Sequence, residues 1–205
     1  MTIQVESLGK RFNREWIFKN LTSTFEQGNT YAITGPNGSG KSTLLQVLWG
    51  QMPGSAGKIS YQLEGKTIPI EDVFQHVSIA TPYMDLIEEY TLNEVLHFHF
   101  QFKGVRGSKT IIELMELMEL THARDKAIAN FSSGMRQRVK LGLAFYSNTP
   151  MLFLDEPTTN LDKKSTDWYL KHLHQLPTDC LVFIASNQEY EYPVSAKKID
   201  ILDFK

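Results

Sequence analysis

A chain of 205 residues, 41% hydrophobic and 21% charged, has the composition of a single globular domain able to bury a sizeable core. Its formal net charge of −2 provides no overall field to recruit nucleic acid or anionic lipid, and no nucleic-acid partner is expected. Cys180 is the only cysteine, which excludes an intrachain disulfide, and no run approaches the ~20 apolar residues that cross a bilayer.

Residues 1–6 lack the basic-then-apolar layout of a secretory signal, so a reduced, cytoplasmic protein is expected. Residues 30–34 read as a short buried strand, and a glycine-rich turn separates them from a helix at 42–48. Pro53, Gly54 and Gly57 break that helix, and a strand at 58–61 precedes the turn Glu64-Gly65. Residues 91–147 read as mostly helical, with breaks at 103–108 and 129–133. Within them, residues 111–120 set glutamates every third position among apolar ones, an amphipathic helix in which Met115 and Met118 pack. Phe98, Phe100 and Phe102 read as core packing, the alternative being a greasy docking surface. Two more buried strands follow at 151–154 and 181–185, with Cys180 beside the second as an inert buried thiol. Strands alternating with helices predict a parallel α/β sheet, and the helical insertion predicts a second lobe.

Gly35-Pro36-Asn37-Gly38-Ser39-Gly40-Lys41-Ser42-Thr43 satisfies the P-loop pattern G-x-x-x-x-G-K-[ST] in the required strand–loop–helix context. Glycines let successive N–H groups turn toward one anion, and the helix start adds its positive dipole end. The Lys41 ammonium can reach the β- and γ-phosphates of ATP, and the Ser42 hydroxyl can take one position on Mg²⁺. A second acidic site closes the strand Met151-Leu152-Phe153-Leu154-Asp155-Glu156-Pro157. Asp155 is placed to hold Mg²⁺ through water, and Glu156 to polarise the water that attacks the γ-phosphate. The histidine pairs His97/His99 and His172/His174 are two residues apart, so neither shares a helix face as a metal pair would.

With both acidic and phosphate motifs in order, the sequence resembles an ABC (ATP-binding cassette) ATPase of the short bacterial single-cassette type. Phe12 matches the aromatic that stacks on adenine, with Trp16 as a second choice. Phe131-Ser132-Ser133-Gly134-Met135 matches the signature loop in its serine and last glycine, and Arg136-Gln137-Arg138 follows as that pattern leads one to expect. Thr159-Asn160-Leu161-Asp162 matches the D-loop.

The resemblance implies a P-loop NTPase fold with a parallel-sheet core, an N-terminal β subdomain and an inserted helical lobe. Residues 1–81 and 151–205 would form the core lobe and about 82–150 the helical one, within one domain. It further implies two cassettes, here expected as a homodimer, paired head to tail over two ATP molecules. Ser132 and the Gly134 backbone would hold the γ-phosphate bound to the partner's P-loop. Glu156, Asp162 and Asn187 would carry the catalytic roles. The implied setting is the cytoplasmic face of a membrane, with a separately encoded integral membrane permease.

Two positions depart from the family pattern. Pro82, followed by Tyr83, stands where a glutamine would touch Mg²⁺, and Asn187 stands where a switch histidine belongs. An amide can hydrogen-bond a phosphate but cannot carry a proton, so slow turnover is expected. An ATP-sensing module with little hydrolysis, or a soluble ABC ATPase acting on ribosomes or DNA, are the alternative readings.

Overall fold

The computed structural model describes all 205 residues, Met1–Lys205. Two long strands, β1 (Thr2–Phe12) and β2 (Glu15–Glu26), lead to β3 (Thr30–Thr34), α1 (Lys41–Leu48) and the hairpin β4 (Ala56–Leu63) and β5 (Lys66–Ile68). After β6 (Val77–Ala80) come α2 (Leu92–Lys103), α3 (Ile111–Leu117) and α4 (Ser133–Tyr146). The chain finishes with β7 (Met151–Asp155), α5 (Lys163–His174), β8 (Leu181–Ala185) and β9 (Lys197–Asp200). No helix is long and apolar enough to cross a membrane.

These elements form two compact units. The first comprises Met1–Val77, Pro150–Glu156 and Pro177–Lys205; the second comprises Ser78–Thr149 and Pro157–Leu176. Residues 157–176, assigned by the sequence reading to the core lobe, cluster with the second unit. The reason is α5, which the sequence reading left unassigned and which packs on α4.

In the first unit an antiparallel sheet runs in the order β2-β1-β4-β5. β1 and β2 pair from Thr2↔Glu26 to Phe12↔Glu15, burying Ile3, Val5, Phe18, Leu21 and Phe25. Between β4 and β5 the turn residues Glu64 and Gly65 both take positive φ, 52° and 78°, as a tight hairpin requires. β7, β8, β3 and β9 lie side by side in that order, all parallel. β7 and β8 are buried at every residue, which explains their unbroken apolar runs. Stacked Phe153 and Phe183, 4.8 Å apart, join Phe25 and Tyr31 in this core.

The second unit is helical. Thr91 and Thr110 each begin a helix with a capping box, closed by Glu94 and Glu113. α3 stops at Leu117 rather than residue 120, because Glu119 adopts φ 56° and ends the helical path. Met115 and Met118 are buried, and Met118 lies so close to Gly142 of α4 that an added Cβ would sit 2.4 Å from it. The phenylalanine cluster divides: Phe100 is 7% exposed, but Phe98 and Phe102 are 44% and 74% exposed and stack edge-on. Spacing by two puts side chains about 200° apart on a helix, so three alternating residues cannot share one buried face.

Candidate nucleotide-binding site

The loop between β3 and α1 gathers the first set of functional groups in the first unit. Gly40, the N-cap of α1, has φ 105°, and a Cβ there would meet Ile17 Cγ2 at 2.2 Å. Both the left-handed conformation and this close approach of β2 demand glycine. Gly38 also has positive φ, 77°, yet a Cβ there would meet nothing within 4 Å. The loop is thus packed from behind and open above Gly38. The buried Lys41 ammonium donates to its own loop, to Gly35 O at 2.8 Å and Pro36 O at 3.2 Å. Lys205 Nζ donates to Ser39 O at 2.7 Å and Ile17 O at 2.8 Å, which ties the loop to β2.

Asp155 ends β7 in register with Ala185 of β8 and is 2% exposed. Its carboxylate accepts a hydrogen bond from the Ser42 side chain, while its Oδ1 has no hydrogen-bond partner. Burial, aided by the neighbouring Glu156 charge, raises its pKa above the usual carboxylate range, although Ser42 and Lys41 oppose the shift. A buried anion with an unused oxygen beside a hydroxyl is the donor set a hard divalent cation prefers. Ser42 and Asp155 therefore fit Mg²⁺.

Glu156 follows with φ 44°, its N–H donating to Ala185 O at 2.9 Å. A non-glycine residue held in this region carries strain, and such strain concentrates at functional positions. Asn187, just beyond β8, donates from Nδ2 to Asn37 Oδ1 of the loop at 2.8 Å. Phe12, the last residue of β1, is 45% exposed, with the Lys10 ammonium 5.2 Å from its ring centroid. Trp16 packs on Gly9, its ring 2.9 Å from where a Cβ would be, beneath the Arg11 guanidinium.

The second unit gathers a separate set. Ser132 is the N-cap of α4 and accepts from Met135 N at 3.2 Å. Gly134 lies against the loop preceding α5, where an added Cβ would be 3.3 Å from Asn160 O. Asp162 caps α5 by accepting from Ser165 N at 2.8 Å, and hydrogen bonds from the Ser165 hydroxyl first and its N–H second hold the carboxyl below the usual range. Ser132, Gly134, Asn160 and Asp162 all line one cleft of about 490 Å³. Pro82 presents its carbonyl to Lys140 Nζ at 3.0 Å, and the Tyr83 side chain is exposed.

Sequence reasoning missed Lys205 as a structural partner of the loop, the bond between Asn187 and Asn37 within the site, and Gln137, whose buried Nε2 donates to Pro157 O at 2.8 Å. Lys205 offered no signal, being 166 residues from the carbonyl it holds. Gln137 could have been suspected as a polar residue on an otherwise apolar helix face.

A parallel sheet whose first βα turn is a glycine loop, faced by a buried aspartate on the neighbouring pair of strands, defines a P-loop nucleotide-binding protein. Residues 18–159 match the family described as "ABC transporter", and the chain belongs to that family. It is 28% identical over 208 residues to the linearmycin resistance ATP-binding protein LnrL of Bacillus subtilis, covering 98% of this chain and 66% of that protein. It is 31% identical to the sulfate/thiosulfate import ATP-binding protein CysA 2 of Agrobacterium fabrum, covering 92% of this chain and 58% of that one. The chain thus spans between about half and two thirds of the length of such curated relatives. Among solved structures, a putative ABC transporter ATP-binding protein from Pyrococcus furiosus superimposes with TM-score 0.82 at 22% identity, covering 100% of this chain and 99% of that one. The dimeric structure of a bacterial ABC transporter cassette gives TM-score 0.80 at 20% identity over 97% of this chain and 94% of its own. These two likenesses establish the fold.

Proposed function

We propose that this chain is the ATP-binding, ATP-hydrolysing subunit that energises an ABC transporter by dimerising on ATP at the cytoplasmic face of a membrane. The observation that carries the reading is the junction of Ser42 and Asp155 beside Lys41, with one carboxylate oxygen left without a partner. That is the chemistry of a nucleotide–metal site on a glycine-loop scaffold. Gly35 to Thr43 hold the phosphates through backbone N–H groups and the Lys41 ammonium, which exchanges loop carbonyls for phosphate oxygens. Mg²⁺, held by Ser42 and Asp155, neutralises charge on the phosphoryl oxygens when bound. Glu156 accepts the proton of the attacking water, and Asn187 offers its amide N–H to the γ-phosphate once released from Asn37. Phe12 stacks on adenine. Ser132 and Gly134, at the N-terminus of α4, meet the γ-phosphate held by a second copy, with Asp162 shaping the same cleft.

Relatives named for import and for resistance or export are about equally similar, which supports a transporter without fixing direction. The partner on this reading is a separately encoded integral membrane permease. A second reading, an ATP-sensing module with little hydrolysis, is favoured by one observation: the residue at the switch position is a non-titrating amide already bonded to the loop.

Mg-ATP hydrolysis by the purified chain over a range of protein concentrations, with Glu156→Gln as control, separates the two. Turnover that rises faster than linearly and falls about 10²–10⁴-fold in the control supports the homodimeric ATPase. ATP binding without turnover, at any concentration and with permease present, overturns it in favour of the sensor.

A further inference from the structure

Glu119 follows the C-cap of α3 in the left-handed region, φ 56°, where a side chain is strained and glycine is not. Its position is explained by what its carboxylate reaches. Oε2 accepts from Arg138 Nη1 of α4 at 2.9 Å and pairs with Lys164 Nζ of α5 at 3.1 Å. Arg138 is the hub of this junction: its Nη1 also donates to Met118 O at 3.3 Å and its Nη2 to Ser165 Oγ at 2.8 Å. Its guanidinium lies 5.5 Å from the Trp168 ring centroid, and Trp168 Nε1 donates to Leu117 O at 2.7 Å. The Arg138 side chain is only 11% exposed, so its charge is poorly served by water and depends on these partners. Lys164 is well exposed, and its pairing with Glu119 contributes little.

The three segments so joined are the end of α3, the helix led by Ser132 and Gly134, and the helix led by Asn160 and Asp162. Glu119 and Arg138 line the same cleft as those four residues. We infer that Glu119 is a positioning residue: its carboxylate holds the Arg138 guanidinium, which in turn bonds Ser165 in the first turn of α5 and so sets the spacing between α4 and the loop that precedes α5. The inference rests on the proposed ATP-driven dimer, in which this cleft faces the nucleotide of a second chain. The strain at Glu119 is offset by the spacing it secures. A glycine at 119 releases that strain and removes the carboxylate that holds Arg138, two effects of opposite sign on folding, while the positioning of Arg138 is lost.

The test uses the full chain carrying Glu156→Gln, comparing it with the same chain bearing in addition Glu119→Gly or Glu119→Gln. Three quantities are read: thermal midpoint, ATP affinity of the monomer by equilibrium dialysis, and ATP-dependent dimerisation by analytical ultracentrifugation. Glu119→Gly is expected to keep the midpoint within about 4 °C, since relief of backbone strain and loss of the Arg138 partner oppose each other. It leaves monomer ATP affinity within about twofold while weakening the dimer about tenfold or more. Glu119→Gln keeps an acceptor for Arg138 and falls between the two. Unchanged dimerisation in Glu119→Gly overturns the inference, as does a midpoint that drops in step with dimerisation, which marks a purely structural role. A parent chain that binds ATP but never dimerises fails for a different reason, since it removes the dimer and overturns the proposed function with the inference.

Discussion

At Asp155 the fold holds a carboxylate where burial works against its charge. The folded state raises the pKa of this group, so above the unfolded carboxylate range its ionised form costs stability that an uncharged side chain would not. Asp155→Asn is therefore expected to stabilise the nucleotide-free chain by about 0.5–2 kcal/mol in urea denaturation while abolishing Mg-dependent hydrolysis. A variant less stable than its parent would mean that the Ser42–Asp155 hydrogen bond outweighs the desolvation. Asn187 makes a complementary case. With an amide at that position, turnover is expected to be flat between about pH 6 and 8 as far as residue 187 is concerned. Asn187→His should introduce a limb near pH 6.5 in the kcat profile. The hydrogen bond from Asn187 to Asn37 shows why an amide fits here: it bonds a neutral oxygen without bringing a charge to the loop.

Helix ends divide into those that only stabilise and those that also present a surface. Ser132 and Thr110 both cap helices through their side-chain oxygens, α4 and α3 respectively. Replacing either with alanine should cost about 1 kcal/mol in denaturation. Hydrolysis should fall only with Ser132→Ala, because only that cap lines the cleft with Gly134 and Asp162. Equal losses of activity in both variants would reduce the role of Ser132 to helix stability. The interior of α4 carries a different constraint. Gly142 weakens helix propensity, yet a methyl group there would enter the space of Met118. Gly142→Ala is expected to destabilise by about 1–3 kcal/mol through overpacking, read as a lower urea midpoint.

Across the molecule, pH acts most clearly through two histidines of the second unit, His99 half-buried and His172 buried. His99 pairs its Nε2 with Ser147 Oγ at 2.8 Å, and burial, with Lys103 nearby, lowers its pKa from 6.5 to about 4. A histidine whose folded pKa is depressed stays neutral in the fold and takes a proton on unfolding. Stability is therefore full above about pH 6.5, declines as pH falls toward 4, and is level below. His172 shifts in the same direction, chiefly by burial. Unfolding free energy should drop by up to about 2 kcal/mol between pH 7 and pH 5, and His99→Gln should flatten much of that slope. An unchanged slope in the variant would place the proton uptake elsewhere.

The sequence by itself determined the glycine loop, the acidic strand end at Asp155 and Glu156, and the alternation of strand and helix. Each rests on local rules: a contiguous motif, an unbroken apolar run, a helix start. Its contiguous motifs also singled out Ser132, Gly134 and Asp162, which the structure brings to one cleft. Tertiary structure decided what depends on residues far apart in the chain. Lys205 holds the Ser39 carbonyl, Ile17 forbids a side chain at Gly40, and α5 joins α4 rather than the sheet. It separated Phe100, which packs in the core, from Phe98 and Phe102, which face water. It also turned Glu119, which reads in sequence as one more polar position of an amphipathic helix, into the residue that leaves that helix. The strain at that turn is compensated by the Arg138 side chain, which only the packing of α4 brings within reach.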